Sequence, residues 1–183
     1  RAAARHKLNL PPERLIVVFV GTFDELKGGR TLIAAVQGLP EVGLLLLGHG
    51  PEPLSSPQIL FKGRVTQDQV PLYLNAADAF VLPTLEEGSC NAVIEALACG
   101  LPVVTSNGHY MDDIVDRSTA LRVDPTDVVE LRAAIRTLLR SPALRSRLSA
   151  AALAKSKTFD IRTRALRIRN WMDEREANVP RPW

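Results

Sequence analysis

Two glutamates, Glu87 and Glu95, stand eight positions apart in a segment whose composition suits a polar ligand. Gly88 follows the first glutamate, and Gly100-Leu101-Pro102 closes the segment just before an apolar run. This pattern predicts a helix with one carboxylate just before it and the other inside it. The first turn of a helix carries partial positive charge, and carboxylates accept hydrogen bonds from hydroxyl groups. The segment therefore suits a ligand that is both anionic and rich in hydroxyls.

A second polar segment, Gly21 to Gly29, contains one lysine, Lys27, directly before two glycines. A lysine beside glycines at the start of a helix is typical of a phosphate cradle. The segment lacks the Gly-Lys-Ser/Thr of a Walker loop and the Gly-x-Gly-x-x-Gly of a dinucleotide-binding turn. On spacing alone, a solvated surface lysine is the alternative interpretation.

Apolar runs alternate with helical patterns along the first two thirds of the chain. Runs such as Leu15 to Val20 are continuous and β-branched, which is typical of strands buried on both faces. The patterns predict strands at 15–20, 42–47, 59–62, 79–82, 103–105 and 119–123. They predict helices at 30–37, 68–76 and 111–115, besides the helix with Glu95 and three more after Pro125. We therefore expect an α/β fold: a Rossmann-like parallel sheet with helices on both faces, followed by C-terminal helices.

Four polar segments each follow a predicted strand: 21–29, 48–51, 83–88 and 106–113. In an open parallel sheet, ligands bind outside the carboxyl ends of the strands. The coincidence of all four segments at this edge indicates a site there more strongly than any one motif does.

The bulk composition limits the classes of protein to consider. The chain has 183 residues, of which 46% are hydrophobic and 23% charged, enough for one packed domain. It has no apolar run long enough to span a membrane. Basic residues predominate after Glu130, which is typical of solvated helix faces or of a surface that meets an anionic membrane. The aromatic residues expected of a single-strand nucleic-acid binder do not interleave with them, so we expect no nucleic-acid partner.

The two cysteines, Cys90 and Cys99, lie roughly 13 Å apart if they share one helix. That separation is too long for a disulfide, so we expect two free thiols, which fits the cytoplasm. No group of His, Cys, Asp or Glu has metal-ligand spacing, and we expect no metal.

The residues around the two glutamates resemble the core block of retaining GT-B glycosyltransferases, of family 4 and its relatives. The likeness lies in Ala76 to Thr84, in Glu87-Gly88 and in Glu95 to Val104, and it extends from about Leu15 to Trp171. It implies that the chain is the C-terminal, donor-binding half of such an enzyme. That half would bind a nucleoside diphosphate sugar, for transfer of the sugar with retention to an acceptor hydroxyl. Apart from this donor substrate the resemblance implies no cofactor.

The resemblance also implies roles for individual residues. Glu87 and Lys27 would be catalytic, with Glu87 beside the donor sugar, and Glu95 would hold the ribose. Four residues would line the sugar and diphosphate: Gly88, Ser89, Cys90 and Asn91. The family often has Phe-Gly where this chain has Ser89-Cys90.

Three further segments resemble donor-binding loops of the family. Gly21-Thr22 to Lys27-Gly28 resembles a Gly-Arg-x4-Lys-Gly loop, with Thr22 in place of the phosphate-binding arginine. Whether Arg30 replaces that arginine is open. Gly48 belongs to a matching glycine loop, and Arg64 would either stack on the base or stay exposed.

The resemblance divides the chain into four parts. Residues 1–10 would be a hinge helix, 11–158 the nucleotide-sugar-binding domain, 159–177 a helix crossing to the N-terminal Rossmann-like half, and 178–183 a tail. Because the chain begins at Arg1 as if within a helix, we expect a fragment of a longer cytoplasmic enzyme, one that works at the inner face of the membrane if the basic half meets it. The alternatives are half of a GT-B sugar-nucleotide epimerase and an inactive binding or scaffold module; Thr22 favours the latter.

Overall fold

Six parallel strands form one sheet in a computed structural model that describes residues 1–177. The strand order is β3-β2-β1-β4-β5-β6. The bounds are β1 (Leu15–Val20), β2 (Val42–Leu47), β3 (Ile59–Gly63), β4 (Ala79–Leu82), β5 (Val103–Ser106) and β6 (Ala120–Val123). The expected parallel α/β sheet is therefore confirmed, and the tail at 178–183 lies outside the described residues.

Helices pack on both faces of this sheet. Their bounds are α1 (Ala2–Lys7), α2 (Gly29–Val36), α3 (Val70–Ala76), α4 (Asn91–Ala98), α5 (Val128–Arg140), α6 (Pro142–Ser156) and α7 (Ile161–Ala177). Helix α2 packs against α5, α4 against α6, and α1 against α3. Right-handed crossovers that leave β1 and β4 in opposite directions put α2 and α4 on opposite faces.

Local side chains explain where several helices begin. The Asp127 carboxylate accepts hydrogen bonds from the Val129 and Glu130 amides at the start of α5. Ser141 caps α6 in the same way, and Pro142 occupies its first position. Such N-caps satisfy amides that have no partner inside the helix.

The predicted helix at 111–115 is wrong. A 3-10 turn, His109–Met111, takes its place. Met111, Ile114 and Val115 are buried, so their spacing reflects a turn packed on the core rather than a helix. The Asp116 carboxylate accepts the Ser118 amide at 2.8 Å in the turn that follows. The predicted helix at 68–76 begins two residues late, at Val70.

A buried ion pair anchors α1 to the amino edge of the sheet. The Arg5 guanidinium donates to the Asp78 carboxylate at 2.7 Å and to the backbone oxygen of Ala76 at 2.8 Å. Asp78 also accepts the amide of Ile16, in β1, at 2.8 Å. A further Arg5 bond goes to the backbone oxygen of Arg14. Both side chains are almost fully buried, so the pair satisfies charges that would be costly alone.

The strand order reverses beside β1, which lies between β2 and β4. Loops that leave β1 and β4 at their carboxyl ends therefore turn to opposite faces and open a crevice. Among the described residues, no helix is both long and apolar enough to cross a membrane.

We predict that Arg5→Leu lowers the free energy of unfolding by about 3–5 kcal/mol, because it leaves the Asp78 carboxylate buried with a lost partner. Urea denaturation followed by circular dichroism measures the change. Lys7→Leu is the matched control, since Lys7 is an exposed cation on the same helix. Equal stabilities for the two variants would contradict the anchoring role of Arg5.

Candidate functional site

Lys27 and Glu87 form an ion pair that joins the loops following β1 and β4. The Lys27 Nζ lies 2.6 Å from the Glu87 Oε1, although sixty positions separate the two residues. The side chains are 24% and 9% exposed. The two side chains predicted as catalytic are therefore in contact, where ligands bind in open α/β sheets.

The loop after β1 holds Lys27 in place from within. Residues Glu25–Lys27 form a 3-10 turn, and the Asp24 carboxylate caps it by accepting the Lys27 amide at 3.1 Å. Gly28 ends the turn with a φ of 69°. A Cβ at Gly28 would lie 2.1 Å from the backbone oxygen of Pro83, so a side chain here would push the two loops apart.

The loop after β4 is tied to this turn by backbone bonds. The Leu85 amide donates to the Leu26 oxygen at 2.7 Å. The Thr84 hydroxyl lies 3.1 Å from the same oxygen and 2.9 Å from the Glu86 oxygen. These contacts hold Glu87 against Lys27.

The loop after β5 braces the β4 loop from the other side. The Ser106 hydroxyl and the Tyr110 hydroxyl both donate to the backbone oxygen of Thr84, the latter at 2.8 Å. Arg122 on β6 donates to the Gly108 oxygen at 2.7 Å and pairs with Asp112.

Thr84, Ser106 and Tyr110 lie in two of the polar segments predicted at this edge, but we did not predict their bracing role from the sequence, which gave no sign of Arg122. Thr84 and Ser106 are fully buried hydroxyl residues at or just beyond the ends of apolar strands. Hydroxyl residues at the ends of apolar strands indicate such a role in the sequence, because a buried hydroxyl needs a hydrogen-bond partner.

Four of the predicted binding residues, Gly21, Thr22, Gly48 and Arg64, line one cavity of about 430 Å³. It lies at the carboxyl ends of β1, β2 and β3. Gly48 has a φ of 146°, and a Cβ there would lie 1.8 Å from the Gly21 oxygen. Only glycine allows this close approach of the β1 and β2 loops.

The segment between Glu87 and α4 presents backbone to open space. Gly88 and Ser89 are exposed, and a Cβ at Gly88 would meet no atom within 4 Å. Asn91, also exposed, begins α4. Cys90 is 2% exposed, and burial together with the nearby Glu87 charge raises the pKa of its thiol to about 12.

Glu95 lies on α4, the helix that follows the Glu87 loop. It is half-buried, and no other residue within 1–177 forms a hydrogen bond or ion pair with its carboxylate. Burial raises the pKa of Glu95 above its ordinary value of 4.5. The Arg30 guanidinium pairs with the Glu52 carboxylate at 2.7 Å. Among residues 1–177, the Glu95 carboxylate is thus an acceptor without a donor.

Comparison with known proteins identifies the family. The family described as glycosyl transferases group 1 matches residues 14–141, well over half of the chain. The chain belongs to this family. LpsD of Rhizobium meliloti (strain 1021), a lipopolysaccharide core biosynthesis glycosyltransferase, is 36% identical to this group 1 chain over 156 residues. That match covers 80% of the group 1 chain and 46% of LpsD.

Solved structures agree with the family. Sucrose-phosphate synthase from Thermosynechococcus elongatus has a TM-score of 0.85 and 31% identity, and the match covers 98% of this group 1 chain and 50% of that chain. HepE of Anabaena, solved with UDP-glucose, has a TM-score of 0.83, and the match covers 94% of this group 1 chain and 52% of HepE. At 20% identity this likeness shows the fold alone. The resemblance to the C-terminal domain of a GT-B glycosyltransferase is confirmed. The group 1 chain spans about half the length of these relatives.

The two free cysteines of this group 1 chain should differ in reactivity. We predict that iodoacetamide labels Cys99 in the native protein and leaves Cys90 unlabelled, because Cys99 is partly exposed and Cys90 is buried. Burial and the Glu95 charge raise the pKa of Cys99 above 9.0. The reactive thiolate therefore forms only at high pH, and labelling should still accelerate above pH 9. Mass spectrometry of tryptic peptides measures both sites.

Cys99→Ser is the control and should abolish labelling of the native chain. Faster labelling of Cys90 than of Cys99 would contradict the burial of the Cys90 thiol.

Proposed function

We propose that this chain binds a nucleoside diphosphate sugar for a retaining, family 4 type of transfer to an acceptor hydroxyl. The Lys27–Glu87 pair carries this proposal, because it places a cation and a carboxylate together in the ligand crevice. Open backbone at Gly88 and a glycine-lined cavity flank the pair. The parts of a donor therefore have complementary groups along one edge of the sheet.

Lys27 would stabilise the diphosphate as it leaves the sugar. An ammonium group has three protons, and Glu87 accepts one of them. Two remain for phosphate oxygens, and the amides of Gly88 and Ser89 supply further donors near the start of α4. Fixed donors at a site of developing negative charge contribute several kcal/mol to transition-state stabilisation.

Glu87 would lie beside the donor sugar, where positive charge develops as the glycosidic bond to phosphate breaks. Its carboxylate is largely buried and is oriented by Lys27, so it needs little reorganisation. Glu95 would accept hydrogen bonds from the two ribose hydroxyls. A half-buried carboxylate with no partner among the described residues is stabilised by such donors.

We further propose that donor binding needs no metal. Within residues 1–177, no three His, Cys, Asp or Glu side chains are grouped as a metal site. In this proposal Lys27 and backbone amides meet the phosphate charge. An inactive binding module is the second candidate, because Thr22 stands where the resemblance expects an arginine.

The N-terminal half of the same enzyme is the proposed partner of α7. Ile161, Ile168, Trp171 and Met172 each expose half or more of their surface. Exposed apolar side chains along one helix favour an interface. The two free thiols fit a cytoplasmic enzyme, and an anionic inner membrane face is the other surface that the arginines of α7 suit.

Saturation-transfer NMR tests donor binding by the isolated chain. With EDTA present, we expect binding of at least one of UDP-glucose, GDP-mannose and ADP-glucose, and no sugar transfer, because the acceptor groups would lie in the other half. Glu95→Ala should weaken the affinity for the bound sugar nucleotide and for its free diphosphate alike. The loss should be about 1.5–3 kcal/mol, the scale of a hydrogen bond to a charged group.

Glu86→Ala is the matched control, since Glu86 is an exposed neighbour of Glu87. Protonation of Glu95 removes the acceptor for the ribose hydroxyls. Because the pKa of Glu95 is raised, affinity should begin to fall, as the pH is lowered, at a higher pH than it would with an ordinary glutamate. Absence of binding to all three donors would refute the proposal, and loss on adding EDTA would refute metal independence. Binding with no transfer by the full-length enzyme would favour the inactive module.

Hydrogen exchange tests the role of α7. In dilute chain we predict lower protection for the amides of Ile168 to Met172 than for those of Val17 to Val20, because the helix has little packing of its own. Exchange at a higher protein concentration controls for docking between copies. Equal protection of the two segments in dilute solution would assign α7 to the core of this domain. Protection that arises only with anionic vesicles would point to the membrane instead.

A further inference from the structure

The loop after β1 offers the donor's diphosphate no free positive charge. Lys27 is paired with Glu87, so the pair is electrically neutral. Thr22 is uncharged, and its hydroxyl donates to the Asp24 carboxylate. Asp24 adds a negative charge in the same loop. An anionic ligand bound only by these side chains would meet a net negative field.

Arg30 is not placed to correct this balance. Its Nε lies 2.7 Å from the Glu52 Oε1, and Glu52 neutralises it. Both side chains line a different cavity, of about 260 Å³, together with Glu25 and Pro125. Among residues 1–177, Arg30 is not one of those that line the cavity containing Gly21 and Thr22.

Arg64 is a cation without a partner among residues 1–177, and it lines the cavity that contains Gly21 and Thr22. It lines the 430 Å³ cavity with Gly21 and Thr22, and none of the described lining residues carries a carboxylate. Arg64 is exposed, and no residue within 1–177 accepts a hydrogen bond or an ion pair from it.

Gly21 connects this cavity to Lys27. A Cβ built at Gly21 would lie 3.5 Å from the Lys27 Cγ. The same glycine lines the cavity beside Arg64. A diphosphate that lies along Gly21 would therefore be near both Lys27 and Arg64.

We propose that Arg64, on the loop after β3, supplies the second phosphate-binding cation, which is missing at position 22 because the chain has threonine there. This inference rests on the proposed function and names the residue that adapts this chain to an anionic donor. Guanidinium groups bind phosphate oxygens through two parallel hydrogen bonds, which a free and exposed arginine can form without breaking another contact. The role replaces stacking on the base as the function of Arg64.

Isothermal titration calorimetry of the whole chain with UDP, GDP, ADP and inorganic pyrophosphate tests this role. For the nucleotide that binds, its nucleoside is titrated as well. Arg64→Ala should weaken the nucleoside diphosphate and pyrophosphate by about ten- to a hundredfold, the range for a charged hydrogen bond, and leave the nucleoside unchanged. Arg30→Ala is the matched control and should bind as the unaltered chain does.

A second variant restores the missing charge at its expected position. Thr22→Arg in the Arg64→Ala background should recover most of the lost affinity for the diphosphate. Thermal melting checks folding, which should be unchanged because Arg64 has no partner to lose among residues 1–177.

Four results would overturn the inference. Equal weakening of nucleoside and diphosphate would make Arg64 a base-stacking residue. Weaker diphosphate binding by Arg30→Ala, or unchanged diphosphate binding by Arg64→Ala, would place the second cation elsewhere. The proposed donor binding would stand in either case. Failure of the unaltered chain to bind any of the three nucleotides would remove the proposed function, and this inference with it.

Discussion

The contact between the Lys27 ammonium and the Glu87 carboxylate is the constraint on which the site depends. It joins loops from β1 and β4, the two adjacent strands at which the order of the sheet reverses. Those loops meet only because the strands pair directly, with Val17 opposite Ala79 and Val18 opposite Phe80. The hydrogen bonds from Leu85 and Thr84 then fix the distance between them. The fold therefore positions the pair before any ligand arrives.

The pair also limits what the site can do without help. A lysine held by a glutamate is oriented, but its charge is balanced, so its attraction for an anion is local and short in range. The arrangement suits a ligand that carries both anionic and hydroxyl groups, since each side chain keeps unused hydrogen-bonding capacity. The Arg64 guanidinium, which has no partner among residues 1–177 and lines the neighbouring cavity, is the cation that we propose to supply the missing charge.

The two edges of the sheet use charged residues in different ways. At the amino edge, Arg5 and Asp78 are sealed from water and bonded to backbone on several sides, an arrangement that stabilises the fold. At the carboxyl edge, Lys27 remains partly exposed, and Glu95 is half-buried without a partner among the described residues. Polar groups left incompletely satisfied cost free energy in the isolated domain, and a ligand can recover it.

The sequence by itself determined the features that depend on neighbours along the chain. The apolar runs of β1 and β2 predict buried parallel strands, and Ser141-Pro142 marks the start of α6. Gly100, with a φ of 66°, ends α4 as its position after the helix indicates. The Glu-x7-Glu spacing, read together with the residues around it, resembled glycosyltransferases, and the comparisons place the chain among the group 1 glycosyl transferases.

Only the tertiary structure decided which distant side chains meet. It brought Lys27 to Glu87, paired Arg30 with Glu52, and put Arg64 and Thr22 in the lining of one cavity. It also packed Met111, Ile114 and Val115 as a buried turn where their spacing predicted a helix. These outcomes depend on strand order and loop packing between segments far apart in sequence, and local periodicity carries no information about such contacts.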